Sequence, residues 1–239
     1  MKKSFLVLLL ISTAAWMLLP ACGAGSDKNT LLQAPDTTGQ ASGVPAEKNA
    51  GSVGDSKTAT IKNLKEAYVG ETTASAKYAA YAQKAKEEGL GQIALLFKAT
   101  SASEKIHANN HRAVLEDMGE TIPDVTPAFT VKATRENLAD AISGESYEIA
   151  TMYPEFLTAA NAADHPLALT SLNYAYRTEQ RHKPMYEHAL AALQTGQVNA
   201  LSAQYYVCPT CGNTYDTTPP KRCRISMTSS ERFLLLTEA

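Results

Sequence analysis

Gly144-Glu145-Ser146-Tyr147-Glu148, followed closely by Met152-Tyr153-Pro154, is the stretch that decides the fold. Glu145 and Glu148 are three residues apart, so on a helix they share one face. The apolar stripe Leu138, Ala141, Ile142, Met152, Phe156, Ala159 runs along that same face. Both carboxylates therefore point inward. Unpaired in an apolar interior they would cost several kcal/mol each, so the stretch makes sense only where something cationic meets them.

The rest of the chain supplies matching pieces. Asn63-Leu64-Lys65-Glu66-Ala67-Tyr68-Val69-Gly70-Glu71 lies 74 residues upstream of Asn137-Leu138-Ala139-Asp140-Ala141-Ile142-Ser143-Gly144-Glu145 and repeats its pattern. An E-x-x-H follows each copy: Glu104-Lys105-Ile106-His107 comes 33 residues after Glu71, and Glu179-Gln180-Arg181-His182 comes 34 after Glu145. The chain is thus a duplicated helix pair, each copy offering one Glu and one Glu-x-x-His to a shared centre.

Four helices are expected. The first runs from near Thr60 to about Glu88, with Leu64, Tyr68, Glu71, Tyr78 and Ala85 on one stripe. The second carries Ile93, Phe97, Glu104, His107, Val114 and Met118 at helical steps and stops at Gly119. Residues 120–133, with Pro123 and Pro127 and no helical period, form the long crossover between the pairs. The third starts at a Thr134 N-cap and continues to about Ala163, with Pro154 marking a kink or local break. Asp164 caps the fourth, whose inner stripe includes Leu172, Glu179, His182, Tyr186 and Leu193; Pro184 is an irregularity beside His182.

The inward set is then Glu71, Glu104, His107, Glu145, Glu148, Glu179 and His182. Five carboxylates are nearly neutralised by two ferrous ions, and carboxylate plus imidazole ligands suit iron or manganese better than soft copper or a closed zinc thiolate site. One Glu from each of two helices, with a Glu-x-x-His from each of the others, is the di-metal arrangement of four-helix bundles. A lone E-x-x-H is more simply a solvated helix face; two at matched spacing on apolar stripes favour metal. His111, His165 and His188 have no comparable partners and read as surface or satisfied core histidines.

At 239 residues and 44% hydrophobic, the chain can bury one good core plus a small satellite domain, and a net charge of −2 gives no reason to expect nucleic acid as a partner. Lys2 and Lys3 precede an apolar run from Phe5 to Leu19. It is shorter than the roughly 20 residues a membrane-crossing helix needs and suits a secretory signal. Leu19-Pro20-Ala21-Cys22 resembles the lipobox of bacterial lipoproteins, in which Cys22 would carry lipid; an ordinary cleaved signal or an uncleaved anchor are the alternatives. Either way the body is expected to be exported. This divides the chain into a signal peptide at 1–21, a polar flexible tether at 22–57, a bundle at 58–196 and a small module at 204–239.

Over roughly residues 60 to 238 the chain resembles rubrerythrin, and the GE-x-x-E and MYP elements at 144–148 and 152–154 carry the resemblance. Ala74 stands in the first repeat where Glu148 stands in the second, an asymmetry that sets rubrerythrin apart from the more symmetric ferritin sites. The resemblance implies an all-α ferritin-like four-helix bundle with a small β/loop rubredoxin-like module. It further implies Glu104 and Glu179 bridging two irons, Glu71 and Glu145 as terminal ligands and His182 holding one iron. The other iron would shift between Glu148 and His107 with oxidation state. The implied activity is two-electron reduction of hydrogen peroxide to water. Tyr78 and Tyr153 match tyrosines that hydrogen-bond ligand carboxylates in the family, whereas considered alone they are equally well core residues. The alternative reading is a ferroxidase or iron-sequestering protein using the same centre with oxygen. A homodimer is the family's common assembly.

Tyr206-Val207-Cys208-Pro209-Thr210-Cys211-Gly212 opens the module, and Cys223 follows Cys211 by 12 residues. The fourth cysteine expected of a tetrahedral iron or zinc site falls on Ser226. Two outcomes remain: an altered iron centre on Cys208, Cys211 and Cys223 completed by Ser226 or water, or a metal-free module whose thiols can oxidise. Nicotinamide cofactors are not expected outside the cytoplasm, so the electron donor would be a periplasmic or membrane carrier.

Overall fold

The structure, a computed structural model, describes residues 50–238; the expected signal peptide, the expected lipidation site Cys22 and most of the expected tether lie outside the described residues. Five α-helices and three short strands follow in order: α1 (Ala50–Glu87), α2 (Gly91–Asp117), α3 (Thr134–Tyr147), a π-helical turn (Glu148–Met152), α4 (Tyr153–Ala162), α5 (Pro166–Gln194), β1 (Tyr205–Val207), β2 (Thr214–Tyr215) and β3 (Leu234–Leu236). Helices α3 and α4 together make the third rod of a four-helix bundle. No helix among the described residues is long and apolar enough to cross a membrane.

The core comes in two apolar blocks. One gathers Tyr78, Tyr81, Phe97, Leu138 and Tyr186; the other gathers Leu64, Leu115, Met152, Phe156 and Leu172. Along α1 the second block precedes the first, along α2 and along α3–α4 the order is reversed, and along α5 it is restored. Helices α1 and α5 therefore run one way and α2 and α3–α4 the other. Joining the end of α2 to the start of α3 requires a connection as long as the bundle. Residues 120–133 form neither helix nor strand and, drawn out, can span about 46 Å at roughly 3.3 Å each, against about 40 Å for the 27 residues of α2.

Several helix ends differ from expectation. Helix α1 begins at Ala50, ten residues before the expected start, so residues 50–57 of the supposed tether are helical; extending a helix already held by packing fixes one residue per bond gained. Thr134 does not cap α3. Ala133 occupies the cap position without a side-chain bond, and the Thr134 backbone N–H is taken instead by the Glu88 carboxylate at 3.2 Å. Asp164 does not cap α5 either. It adopts a left-handed conformation at φ 51°, and His165 becomes the cap, its Nδ1 accepting the Ala168 N–H at 3.2 Å. Gly119 does end α2, taking φ +74° just after Met118.

The expected break at Pro154 lies just upstream of it. Pro154 has no N–H for the Ala150 carbonyl and its ring crowds that oxygen, so the chain widens into the π turn, where the Tyr153 N–H reaches back to the Glu148 carbonyl. Pro184 is accommodated inside α5 on its exposed side, where water can serve the freed Gln180 carbonyl.

The C-terminal module is a three-stranded antiparallel sheet in the order β2-β1-β3. Leu201, Tyr205 and Val207 join the first apolar block, fastening the module to the bundle through a common core.

Candidate metal centre

Between the two apolar blocks every rod carries one polar, fully buried step: Glu71 on α1, Glu104 and His107 on α2, Glu145 on α3, and Glu179 and His182 on α5. These six converge as two overlapping clusters. Glu71, Glu104, His107 and Glu179 form one; Glu104, Glu145, Glu179 and His182 form the other. Glu104 and Glu179 belong to both, and each divides its oxygens between them. His107 Nδ1 lies 3.0 Å from Glu104 Oε2 and 3.0 Å from Glu179 Oε1. His182 Nδ1 lies 3.1 Å from Glu104 Oε1 and 2.7 Å from Glu179 Oε2. Glu71 sits only on the His107 side and Glu145 only on the His182 side, at 3.5 and 3.9 Å. Glu104 and Glu179 are thus shared between the two clusters, while Glu71 and Glu145 each serve one.

Both oxygens of Glu104 and Glu179, Glu145 Oε2, and Nδ1 of His107 and His182 are buried with no hydrogen-bond partner. Such orphaned acceptors are rare in a folded interior and are all satisfied at once by a pair of cations at the centre. The donor set of hard oxygens and imidazole nitrogens fits two iron or manganese ions.

Charge is otherwise balanced by protons. Burial pushes Glu71 up to about 7, against the pull of His107. Burial, then Glu179 and Glu148, hold Glu145 well above the usual carboxylate range. Burial opposes charging His182, yet Glu104 and Glu179 raise it to about 9; burial likewise opposes His107, which Glu179 and Glu71 raise well above its ordinary value. Glu179 would be raised by burial, but His107 and His182 draw it down to about 2.

Glu148, on the π turn, belongs to neither cluster and is only half-buried. Burial and then the charge of Glu71 keep its carboxyl well above the ordinary range. The two tyrosines are fully engaged. Tyr78 donates to Glu145 Oε1 at 3.1 Å, and Tyr153 donates to Glu71 Oε1. His111 is a satisfied core residue, within 2.8 Å of Ser171 Oγ and 3.4 Å of the Tyr153 hydroxyl, and burial lowers it to about 3.

Sequence reasoning missed that the module packs directly on this centre. The Cys211 carbonyl can only accept, so His107 donates to it from Nε2 at 3.1 Å. Thr214 donates its hydroxyl to the Gly212 carbonyl at 3.1 Å and accepts from His182 Nε2 at 3.1 Å. Both imidazoles are thereby oriented with Nδ1 facing the carboxylates. Ser103 donates to the Gly212 carbonyl at 2.8 Å, and Asn110 to the Thr210 carbonyl at 2.9 Å. Gly212, at φ +77°, lies so close that a Cβ there would overlap His107 Nε2. Only the Cys-x-x-Cys-Gly knuckle hinted at this contact, since a glycine there permits close backbone approach.

Within the module the buried, unbridged thiols of Cys208, Cys211 and Cys223 stand within metal-holding distance of one another, with Cys211 and Cys223 Sγ 3.5 Å apart. Ser226 Oγ lies 3.3 Å from Cys208 Sγ, at the place of the missing fourth thiol. Hydrogen bonds from Cys208 and Cys211 hold Cys223 below an ordinary thiol.

A rubrerythrin family model matches residues 62–190. Nigerythrin of Nitratidesulfovibrio vulgaris is 35% identical over 198 residues, covering 80% of this chain and 96% of that protein. Rubrerythrin-2 of Clostridium acetobutylicum is 32% identical, covering 73% and 95%. The solved structure of fully reduced, all-ferrous nigerythrin superposes with a TM-score of 0.67 at 33% identity, covering 81% of this chain and 98% of that one. With the matched bundle, the relatives and the six converging ligands in agreement, the chain belongs to the rubrerythrin family of diiron proteins.

Proposed function

We propose that the chain is a non-haem diiron peroxidase that reduces hydrogen peroxide to water in the cell envelope, held there by lipid on Cys22. The observation that carries this reading is the buried layer of six ligands with seven orphaned atoms aimed at one centre. Nigerythrin has been solved in fully reduced, partially reduced and mixed-valence states, so iron changes oxidation state in that relative, which supports iron here. Glu71, Glu104, Glu145, Glu179, His107 and His182 would hold the two ions, which when ferrous supply the two electrons that peroxide takes up.

The chain's own residues supply the setting. Tyr78 and Tyr153 fix one oxygen each of Glu145 and Glu71, leaving the other free to ligate. Glu148, its carboxyl held above the ordinary range by burial and half-exposed beside the centre, is placed to deliver one of the protons that turn peroxide oxygen into water. Apolar blocks above and below exclude water, and the module closes the histidine side.

The deciding experiment adds peroxide to the prereduced, iron-loaded protein and, separately, follows oxygen uptake while ferrous iron is loaded. Rapid stoichiometric peroxide consumption supports the peroxidase; oxygen uptake with iron retention and slow peroxide consumption identifies a ferroxidase. Fatty-acid labelling that is lost in Cys22→Ser tests the anchor. Sedimentation of the soluble part tests the homodimer that the resemblance implies.

A further inference from the structure

Three tyrosines of the first apolar block form a contiguous set of rings that begins at the buried acidic layer. Tyr78 donates to Glu145 Oε1 at 3.1 Å, and its ring centroid lies 6.2 Å from that of Tyr81 and 5.5 Å from that of Tyr186. Phe97 fills the space among them, 5.4 Å from both Tyr81 and Tyr186. Packing alone is served by phenylalanine, as at Phe97, whereas each added hydroxyl needs a buried partner. The partners differ in kind. Tyr186 donates to the Thr100 hydroxyl at 2.7 Å, a neutral group that is no base. Tyr78 donates to a carboxylate that belongs to the centre itself. Of the three, Tyr81 alone donates to a carboxylate outside that layer, Asp140 Oδ2 at 3.0 Å. Burial works against the charge of Asp140, but Lys77 at 2.8 Å keeps its carboxyl below the ordinary range. Tyr81 and Asp140 also line a surface cleft of about 390 Å³, shared with Phe129 and Asn137. Lys77 Nζ stands 5.4 and 5.9 Å from the Tyr78 and Tyr81 ring centroids, yet its charge is already met by Asp140.

We propose that Tyr78 and Tyr81 form an electron relay that serves the centre when it holds one reducing equivalent instead of two, with Tyr81 the residue oxidised and Asp140 the acceptor of its proton. The purpose of the relay rests on the peroxidase reading. Peroxide that receives a single electron breaks into hydroxide and hydroxyl radical; peroxide that receives two gives water. A half-reduced centre is a state in which nigerythrin has been solved, as a mixed-valence form. There a tyrosine can supply the second electron: Fe2+ + TyrOH + H2O2 + H+ gives Fe3+ + TyrO• + 2 H2O. The electron leaves Tyr81 through the adjoining ring of Tyr78, whose hydroxyl touches Glu145. The phenolic proton crosses the 3.0 Å hydrogen bond to Asp140, which is exposed and passes it to water. The oxidised residue then stands against the cleft, away from the acidic layer, where a small reductant can restore it.

The test brings the iron-loaded chain to one electron per dinuclear centre, adds one equivalent of hydrogen peroxide, freezes the mixture and reads it by electron paramagnetic resonance. The expected result is an organic-radical signal whose splitting collapses in protein made with ring-deuterated tyrosine. The signal should fall at least about tenfold in Tyr81→Phe and in Asp140→Asn, the second of which leaves the phenol a partner but no base. Hydroxyl radical caught by a spin trap should rise in both variants. The fully reduced protein should form no radical, and its peroxide consumption and iron content should be the same in wild type and variants. An equal radical yield in Tyr81→Phe overturns the proposal, as does a half-reduced wild-type protein that yields trapped hydroxyl radical and no tyrosyl signal. If the Tyr81-dependent radical forms but the fully reduced protein consumes peroxide no faster than free ferrous iron does, the relay stands and the peroxidase reading falls.

Discussion

Thr214 holds His182 through a single hydroxyl whose proton is already given to the Gly212 carbonyl. In Thr214→Val the ring keeps its space but loses the acceptor that fixes its tautomer. Metal affinity of the dinuclear centre, measured by chelator competition, should fall about 10- to 100-fold while the metal-free protein stays folded; Thr214→Ser should restore it. An unchanged affinity would mean the ring is oriented by packing alone. Glu148→Ala should slow peroxide turnover with the bundle folded and iron retained, because the residue stands beside the clusters and outside both; unchanged turnover counts against its role. The convergence of these carboxylates and histidines was legible from spacing, since a helix turns a three-residue step into a shared face. Thr214 and Gly212 were not. They meet the centre across sequence separations of 32 residues from His182 and 109 from Ser103, and no periodicity encodes such a contact.

Elements were legible where one sequence pattern dominated and obscure where tertiary contacts chose between close alternatives. The repeated apolar stripes announced four rods, and the proline-rich 120–133 announced the crossover. The caps of α3 and α5 went to Ala133 and His165 because Glu88 and the His165 ring supply the bonds that Thr134 and Asp164 were expected to make. Pro154 signalled a break, and the π turn is how the chain absorbs it. The module is the element whose outcome the sequence left open, and the structure shows why the loss of one thiol need not abolish it: the Cys211 carbonyl and the Thr214 hydroxyl still grip the two histidines of the centre. Because Ser226 Oγ lies 3.3 Å from Cys208 Sγ, Ser226→Cys should raise the iron retained by the module and bring the absorption of a four-thiolate ferric site. If iron content and spectrum stay as they were, the module has lost more than a ligand.

At the scale of the molecule, a layer of buried acid divides the bundle's core, and its ionisation ties metal, pH and stability together. Without metal, Glu71 is raised from 4.5 to about 7 and His182 from 6.5 to about 9. A group raised on folding stabilises the fold fully below its unfolded value, and that contribution is lost as pH climbs through the folded one. Glu71's share is therefore lost between about 4.5 and 7, and that of His182 between about 6.5 and 9, each on the order of 3 kcal/mol. Glu145 and Glu148, also raised, add in the same direction; Glu179, lowered to about 2, matters only in acid well below this window. Metal ligation requires those same groups without their protons, so loading releases protons and strengthens as pH rises. The chelator-stripped protein should accordingly lose Tm steadily from pH 5 to 9 in scanning calorimetry, while the loaded protein holds its Tm, and the gap between them should widen. A gap that narrows toward alkaline pH would mean that cations do not neutralise this layer, and the chemistry assigned to it would have no centre.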